Sequence, residues 1–134
     1  MSEYSFTKSE RLCNKVLIQN LFEKGNCVVT QFPFRIIWTP VTEPEWPFPA
    51  QVLISVSKRS FKKSVTRNKI KRQIRELYRK NKSQLYQTLI NTNQQVSIAI
   101  IFQGNKIFKQ KEMEPAFLKC LEKCNNQLQK SIEK

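Results

Sequence analysis

Twenty-five consecutive residues, Lys58 to Lys82, carry twelve of the chain's 24 Lys and Arg residues and one acid, Glu76. The stretch contains no Gly or Pro, and its apolar residues recur at helical spacing. With Ser64 or Thr66 as N-cap, a helix over residues 65–81 is predicted. It aligns Ile70, Ile74, Leu77 and Tyr78 along one stripe. Asn68, Lys71, Arg72, Arg75 and Arg79 form a neighbouring polar stripe, and Val65 falls at the helix entrance. The fold must therefore bury one side of this helix against a core and leave the cationic side accessible.

Charge says what that side is for. The segment holds +11 of the formal +14, while the rest of the chain has twelve bases against nine acids. Such a block repels itself, and a polyanion relieves the repulsion and releases counterions on binding. Arg72, Arg75 and Arg79 stand at three- and four-residue steps, and each guanidinium can fork onto two phosphate oxygens. Asn68 among them can donate to a 2′-hydroxyl or a base edge.

The chain around this helix reads as alternating short elements. Residues 9–24 are predicted as a helix, capped by Ser9 or Asn14 and stopped at Gly25, with Leu12, Val16, Leu17, Leu21 and Phe22 apolar. Residues 26–39 hold two strands that bend near Pro33; in the second, Phe32, Phe34, Ile36 and Trp38 alternate with Pro33, Arg35 and Ile37. Parity alone leaves open which set faces a ligand. Residues 40–50 carry four of the six prolines and read as a loop, in which Trp46 and Phe48 can cover an edge of the core. Residues 51–57 form a strand whose apolar run suggests burial on both faces. Beyond Lys82 a weaker amphipathic segment, Leu85 to Ile90, is broken at Asn91-Thr92-Asn93. A strong strand covers 96–102. A last helix begins close to Pro115 and runs to about residue 131, with Phe117, Cys120, Leu121, Cys124 and Leu128 on its apolar side.

With 134 residues, 40% hydrophobic content and two Gly, the chain is expected to form one domain over residues 1–134, with 1–8 and the extreme C-terminus mobile. The expected class is α+β: a helix/sheet sandwich of about four strands in αβββαβα order. An apolar run of about eighteen residues is missing, as is a signal-peptide core, so the expected compartment is the cytoplasm, with no membrane partner. The four Cys include no Cys-x-x-Cys, and the chain has no His, so reduced cysteines in or near the core are expected rather than a metal site.

From Ser64 to Glu76 the sequence reads SVTRNKIKRQIRE, which closely resembles the signature A-V-x-R-N-x-x-K-R-x-x-R-E of the bacterial ribonuclease P protein subunit. Only the leading Ala differs. Val56-Ser57-Lys58-Arg59 is similar to the V-[SP]-K-[KR] that leads into that helix. Arg11-Leu12, then Leu21-Phe22-Glu23-Lys24-Gly25, resembles the family's opening, with Ile18 where the family has Phe.

The resemblance implies a left-handed βαβ crossover and a final helix covering the sheet. It also implies a subunit that binds a catalytic RNA and the 5′ leader of precursor tRNA, so that the leader is cut away at the mature 5′ end. Mg²⁺ would be held mainly by the RNA. Arg67, Asn68, Lys69, Lys71, Arg72, Arg75 and Arg79 are then expected on the RNA subunit's backbone. Ile18, Phe22, Phe34, Ile36, Lys58 and Arg59 are expected on the leader, where stacking tolerates any base. Consistent with this, no protein active site is visible. The ten carboxylates are scattered, no His is available as a base, and no Ser or Cys has an evident activating partner. A general RNA-binding or ribosome-associated protein is the competing reading. A DNA-binding helix-turn-helix would need a partner helix before Val65, where a strand is predicted, so DNA is not an expected partner.

Overall fold

The computed structural model describes residues 10–12, 15–23, 27–41 and 49–130. The expected mobile termini, the Gly25 stop, the Ser9 and Asn14 caps, Cys13, and Trp46 and Phe48 of the Pro-rich loop lie outside the described residues. Seven elements follow in the expected order: α1 (Lys15–Leu21), β1 (Cys27–Gln31), β2 (Phe34–Pro40), β3 (Ala50–Val56), α2 (Ser64–Asn91), β4 (Val96–Phe102) and α3 (Gln110–Lys130).

The strands form one mixed sheet in the order β1-β2-β4-β3. β1–β2 and β2–β4 are antiparallel, whereas β3 and β4 run parallel because α2 carries the chain between them. Period-2 alternation divides the sheet into two faces. Val29, Phe34, Ile36, Trp38, Val52, Val56, Ile98, Ile100 and Phe102 pack with α2 and α3 in the main core. Ile37 and Ala99 point the other way, where Leu12 and Leu21 complete a smaller cluster and Ile18, Leu53 and Ile101 pack on it. Helices thus cover one face fully and α1 covers part of the other.

α2 is a single helix of 28 residues that runs past its predicted end near residue 81, through the weaker amphipathic segment, and stops at the predicted break Asn91-Thr92-Asn93. Its buried stripe continues through Tyr78, Lys82, Leu85 and Leu89. Lys82 occupies a core position because its Nζ bonds Glu10 Oε2 at 2.5 Å, with both side chains buried. Tyr86 also donates to Glu10, and Tyr78 lies 3.3 Å from the Tyr86 hydroxyl. Burial above all pushes both tyrosine pKa values up; at Tyr78 the hydrogen bond to Tyr86 pulls the other way, whereas at Tyr86 its neighbours Tyr78 and Glu10 add to the rise, so the hydroxyls stay protonated. Neither Ser64 nor Thr66 caps the helix; Lys63 holds the N-cap position without a side-chain bond. The C-terminus closes in a Schellman motif: Gln94 N–H bonds Leu89 O at 2.9 Å and Asn93 N–H bonds Ile90 O at 3.1 Å. Asn93 supplies the left-handed residue at φ 52.

α3 starts five residues before Pro115, at Gln110. Glu112 Oε1 accepts the Lys109 N–H at 3.3 Å, half of a capping box. Pro115 then falls just past the first turn, where its missing N–H removes one helical bond. The predicted apolar side of α3 is buried, joined by Met113 and Asn125. α1 is shorter than predicted, and Phe22 lies just beyond its end with its N–H on Gln19 O. Among the described cysteines, Cys120 and Cys124 are buried as expected for thiols in or near the core, whereas Cys27 is exposed on β1.

Candidate nucleic-acid interface

The first surface is the outer side of α2. The apolar stripe of this helix faces the core, so the intervening positions turn outward. Asn68, Lys69 and Arg72 are exposed, and Lys71, Arg75 and Arg79 are half-buried. Three cations are not equivalent to the rest. Arg67 Nη1 donates to Phe61 O at 2.8 Å and to Lys62 O at 3.0 Å, so it ties down the basic loop before the helix. Arg79 is paired with Glu76 through both Nε and Nη2, which raises the Arg79 pKa and lowers that of Glu76. Arg75 has its pKa lowered, first by burial and then by the charges of Arg11 and Arg72.

That last observation adds a residue that the helix pattern could not supply. Arg11 reaches α2 because its segment runs parallel beside β3, bridging at Val52, with Leu12 N–H on Val52 O at 2.9 Å. Glu10, next to it, is anchored to Lys82 of the same helix. Arg11, Arg72 and Arg75 therefore form a positive cluster from two distant parts of the chain. An anion placed there would relieve their mutual repulsion.

The second surface is the α1 face of the sheet. Here the structure corrects two expected leader contacts. Phe34 and Ile36 are 0% exposed. They lie on the opposite face, where Phe34 meets the Phe117 ring edge-on at 5.2 Å, so neither can touch a nucleotide. The α1 face carries the other parity. One register row runs Thr30, Arg35, Ile101, Ser55 and the next runs Val28, Ile37, Ala99, Leu53. α1 packs against β4 and β2. Arg35, Ile101 and Ser55 remain half-open beside it. Of the expected contacts on α1, Phe22 is 52% exposed and Ile18 is half-buried against the sheet. Lys58 and Arg59 are exposed in the turn that leaves β3, the strand that carries Ser55.

A further concavity of about 520 Å³ lies between α2 and α3, lined largely by the amides of Asn81, Gln84, Asn125, Asn126 and Gln129 together with Glu122. It has no cation and does not suit a polyanion. No three His, Cys, Asp or Glu side chains converge on a possible metal position among the described residues. Nor is any helix there long and apolar enough to cross a membrane.

The fold and these two surfaces define a class: a small α+β domain with a cationic crossover helix beside a half-covered mixed sheet. Comparison with known proteins makes it specific. The family model for ribonuclease P matches residues 6–129. The ribonuclease P protein component of Porphyromonas gingivalis is 30% identical over 118 residues, covering 88% of this chain and 85% of that protein. The corresponding protein of Petrotoga mobilis is 39% identical over 83 residues, 62% of this chain and 65% of that one. Among solved structures, the Staphylococcus aureus RNase P protein superposes with a TM-score of 0.68 at 24% identity, covering 87% of this chain and 96% of that one. The Thermotoga maritima protein gives 0.64 at 19% identity, covering 85% and 96%. This chain belongs to the ribonuclease P protein component family, whose role lies in tRNA processing and whose members work with an RNA.

Proposed function

We propose that this chain assembles with a catalytic RNA and helps it to remove the 5′ leader of precursor tRNA, in the cytoplasm. The observation that carries this reading is the placement of the Arg11, Arg72 and Arg75 cluster next to Asn68, Lys69 and Lys71, on a helix of the same domain as a half-open sheet face. The cationic side of α2 binds the RNA subunit's backbone. Each guanidinium there replaces condensed counterions, so phosphates of two RNA molecules can approach one another at lower salt cost. Arg67 acts mainly through the loop it holds, and Arg79 contributes less because Glu76 already neutralises it.

The leader lies on the α1 face. Phe22 offers an exposed ring and Ile18 an apolar wall, while Arg35, Ile101 and Ser55 form the floor. Lys58 and Arg59 pair with leader phosphates at the end of β3. Stacking and backbone contact tolerate any sequence, which suits a substrate class with many different leaders. Because only the precursor has a leader, these contacts favour substrate over product. Mg²⁺ held by the RNA supplies the hydrolytic chemistry. The protein side chains supply charge and position, which lowers the Mg²⁺ concentration needed. The sequence has no His, and the described carboxylates nearest that surface are already engaged, Glu76 by Arg79 and Glu10 by Lys82 and Tyr86.

The test is cleavage of a 5′-extended precursor tRNA at low Mg²⁺ by a bacterial ribonuclease P RNA alone, by this protein alone, and by the two together. Cleavage at the mature 5′ end by the mixture only is the expected result. Cleavage by the protein alone would refute the assignment of catalysis to RNA. Tight RNA binding without any gain in cleavage would favour a general RNA-binding protein.

A further inference from the structure

A patch of aromatic side chains at one end of the sheet is not used by either surface described so far. Phe32, in the two-residue turn between β1 and β2, is 63% exposed. Its ring stands edge-to-face with Phe108 at 6.3 Å. Phe108 packs on Phe102 at 6.0 Å, and Phe102 on Phe61 at 6.1 Å, so a row of rings runs from the turn to the basic loop before α2. The mount is rigid. Gln103 N–H bonds Pro33 O at 2.7 Å, and Gln73 Nε2 bonds Phe108 O at 3.1 Å. Gly104 lets the chain pass over the rings, since a Cβ there would lie 2.7 Å from Phe102 Cζ and 2.9 Å from Phe108 Cε2.

An exposed phenylalanine loses free energy to water and gains it back only when something covers the ring. The surroundings identify the kind of cover. The two loops that meet this row, 57–63 and 103–109, contain Lys58, Arg59, Lys62, Lys63, Lys106 and Lys109 and no acid. Lys106 Nζ already stands 5.0 Å from the centre of the Phe108 ring. A flat apolar surface whose two flanking loops carry cations and no acid matches a nucleobase with its phosphate better than the apolar or acidic-and-basic mix of an ordinary protein interface. The same end of the sheet carries the Arg35–Ile101–Ser55 row, so a strand leaving the α1 face passes this turn.

We propose that Phe32 is a stacking platform for one unpaired RNA base, whose phosphate is held by the lysines of the 103–109 and 57–63 loops. The proposal rests on the ribonucleoprotein reading above. The base comes either from the leader of precursor tRNA or from the catalytic RNA.

Reconstituted holoenzymes carrying Phe32→Ala, Phe32→Leu or Phe32→Trp separate these sources. Two affinities are measured: protein for ribonuclease P RNA, and holoenzyme for precursor tRNA with a long or a one-nucleotide leader. Phe32→Ala and Phe32→Leu are expected to weaken one of the two by about 5- to 100-fold, and Phe32→Trp to retain it. Loss confined to the long leader identifies a leader base, and loss in the first affinity identifies a base of the catalytic RNA. The proposal is overturned if Phe32→Ala leaves both affinities within about twofold, or if Phe32→Leu matches the wild type, because then bulk and not stacking is what counts. Circular dichroism confirms that each variant is folded. Wild-type protein that fails to bind the RNA at all refutes the ribonucleoprotein reading before any variant is compared.

Discussion

Lys82 is the side chain whose removal tests the architecture most directly. It is 5% exposed and Glu10 is 1% exposed, and they are joined at 2.5 Å across 72 positions of sequence. Replacing Lys82 by Met leaves the carboxylate of Glu10 buried without its cation. Loss of one partner of a buried pair costs about 3–5 kcal/mol. Tyr86 still donates to Glu10, which places the expected value near the lower end, about 3 kcal/mol. For a chain of this size that corresponds to a fall in Tm of roughly 10–15 °C.

The double variant Glu10→Gln with Lys82→Met removes both charges. It should be less destabilised than Lys82→Met alone, since the desolvation of the pair is also removed. Urea unfolding of the two single variants and the double variant gives the coupling directly. A second readout follows from position. Arg11 adjoins Glu10, so loosening the segment should also weaken RNA binding through the Arg11, Arg72 and Arg75 cluster. The reasoning is refuted if Lys82→Met unfolds within about 1 kcal/mol of the wild type, or if the cycle shows no coupling.

Three other perturbations distinguish the surfaces. Arg72→Ala and Arg75→Ala should each weaken assembly with the RNA subunit by about 1–3 kcal/mol with unchanged circular dichroism, and Arg79→Ala should cost less because Glu76 shares its charge; equal losses at all three would show that the Glu76 pair opens on binding. Ile101→Glu, at a half-open position of the α1 face, should lower affinity for precursor tRNA more than for mature tRNA, whereas Phe34→Ala should cost about 3–5 kcal/mol of stability, read by thermal unfolding, because its ring lies in the main core. The Cys124 and Cys120 thiols are pushed up to about 12 and about 11, chiefly by burial, from an ordinary 9.0. The folded state therefore holds these protons more tightly than the unfolded chain, and their contribution is intact below about pH 9 and is lost as pH rises toward 11–12; stability measured across that range should decline, and a thiol reagent at pH 8 should modify Cys27 well before either buried thiol.

Several elements were legible from local pattern because their physics is local. β4 lies over the residues that β-branched enrichment marks, and α2 starts where the basic amphipathic stripe starts. The bend at Pro33, the αL stop near Asn93 and the buried side of α3 also follow from residues a few positions apart. Misplaced boundaries have an equally specific origin. α3 was expected to start at a proline, because Pro is tolerated in a first turn. The actual start is set by Lys109 and Glu112, whose contact depends on backbone geometry. The end of α2 was misread because Lys82 looks like a solvent-facing residue in a lysine-rich run. It is a core residue only because Glu10 is folded against it.

The same division holds for function. The charge block, the spacing of Arg72 and Arg75, and the match to a known signature all reside in one short segment, so the sequence by itself determined the family and the cationic helix. Strand parity is different. A period of two assigns Phe34, Ile36 and Trp38 to one face and Arg35 and Ile37 to the other, but both sets include large apolar side chains. Which set is sealed depends on where α3 docks, and that helix lies some seventy residues further along. Tertiary packing alone placed Phe34 and Ile36 in the core, gave Arg35 and Ile37 to the α1 face, and brought Arg11 to Arg72 and Arg75. Contacts between residues far apart in the chain carry no local periodicity, so no reading of local pattern could supply them.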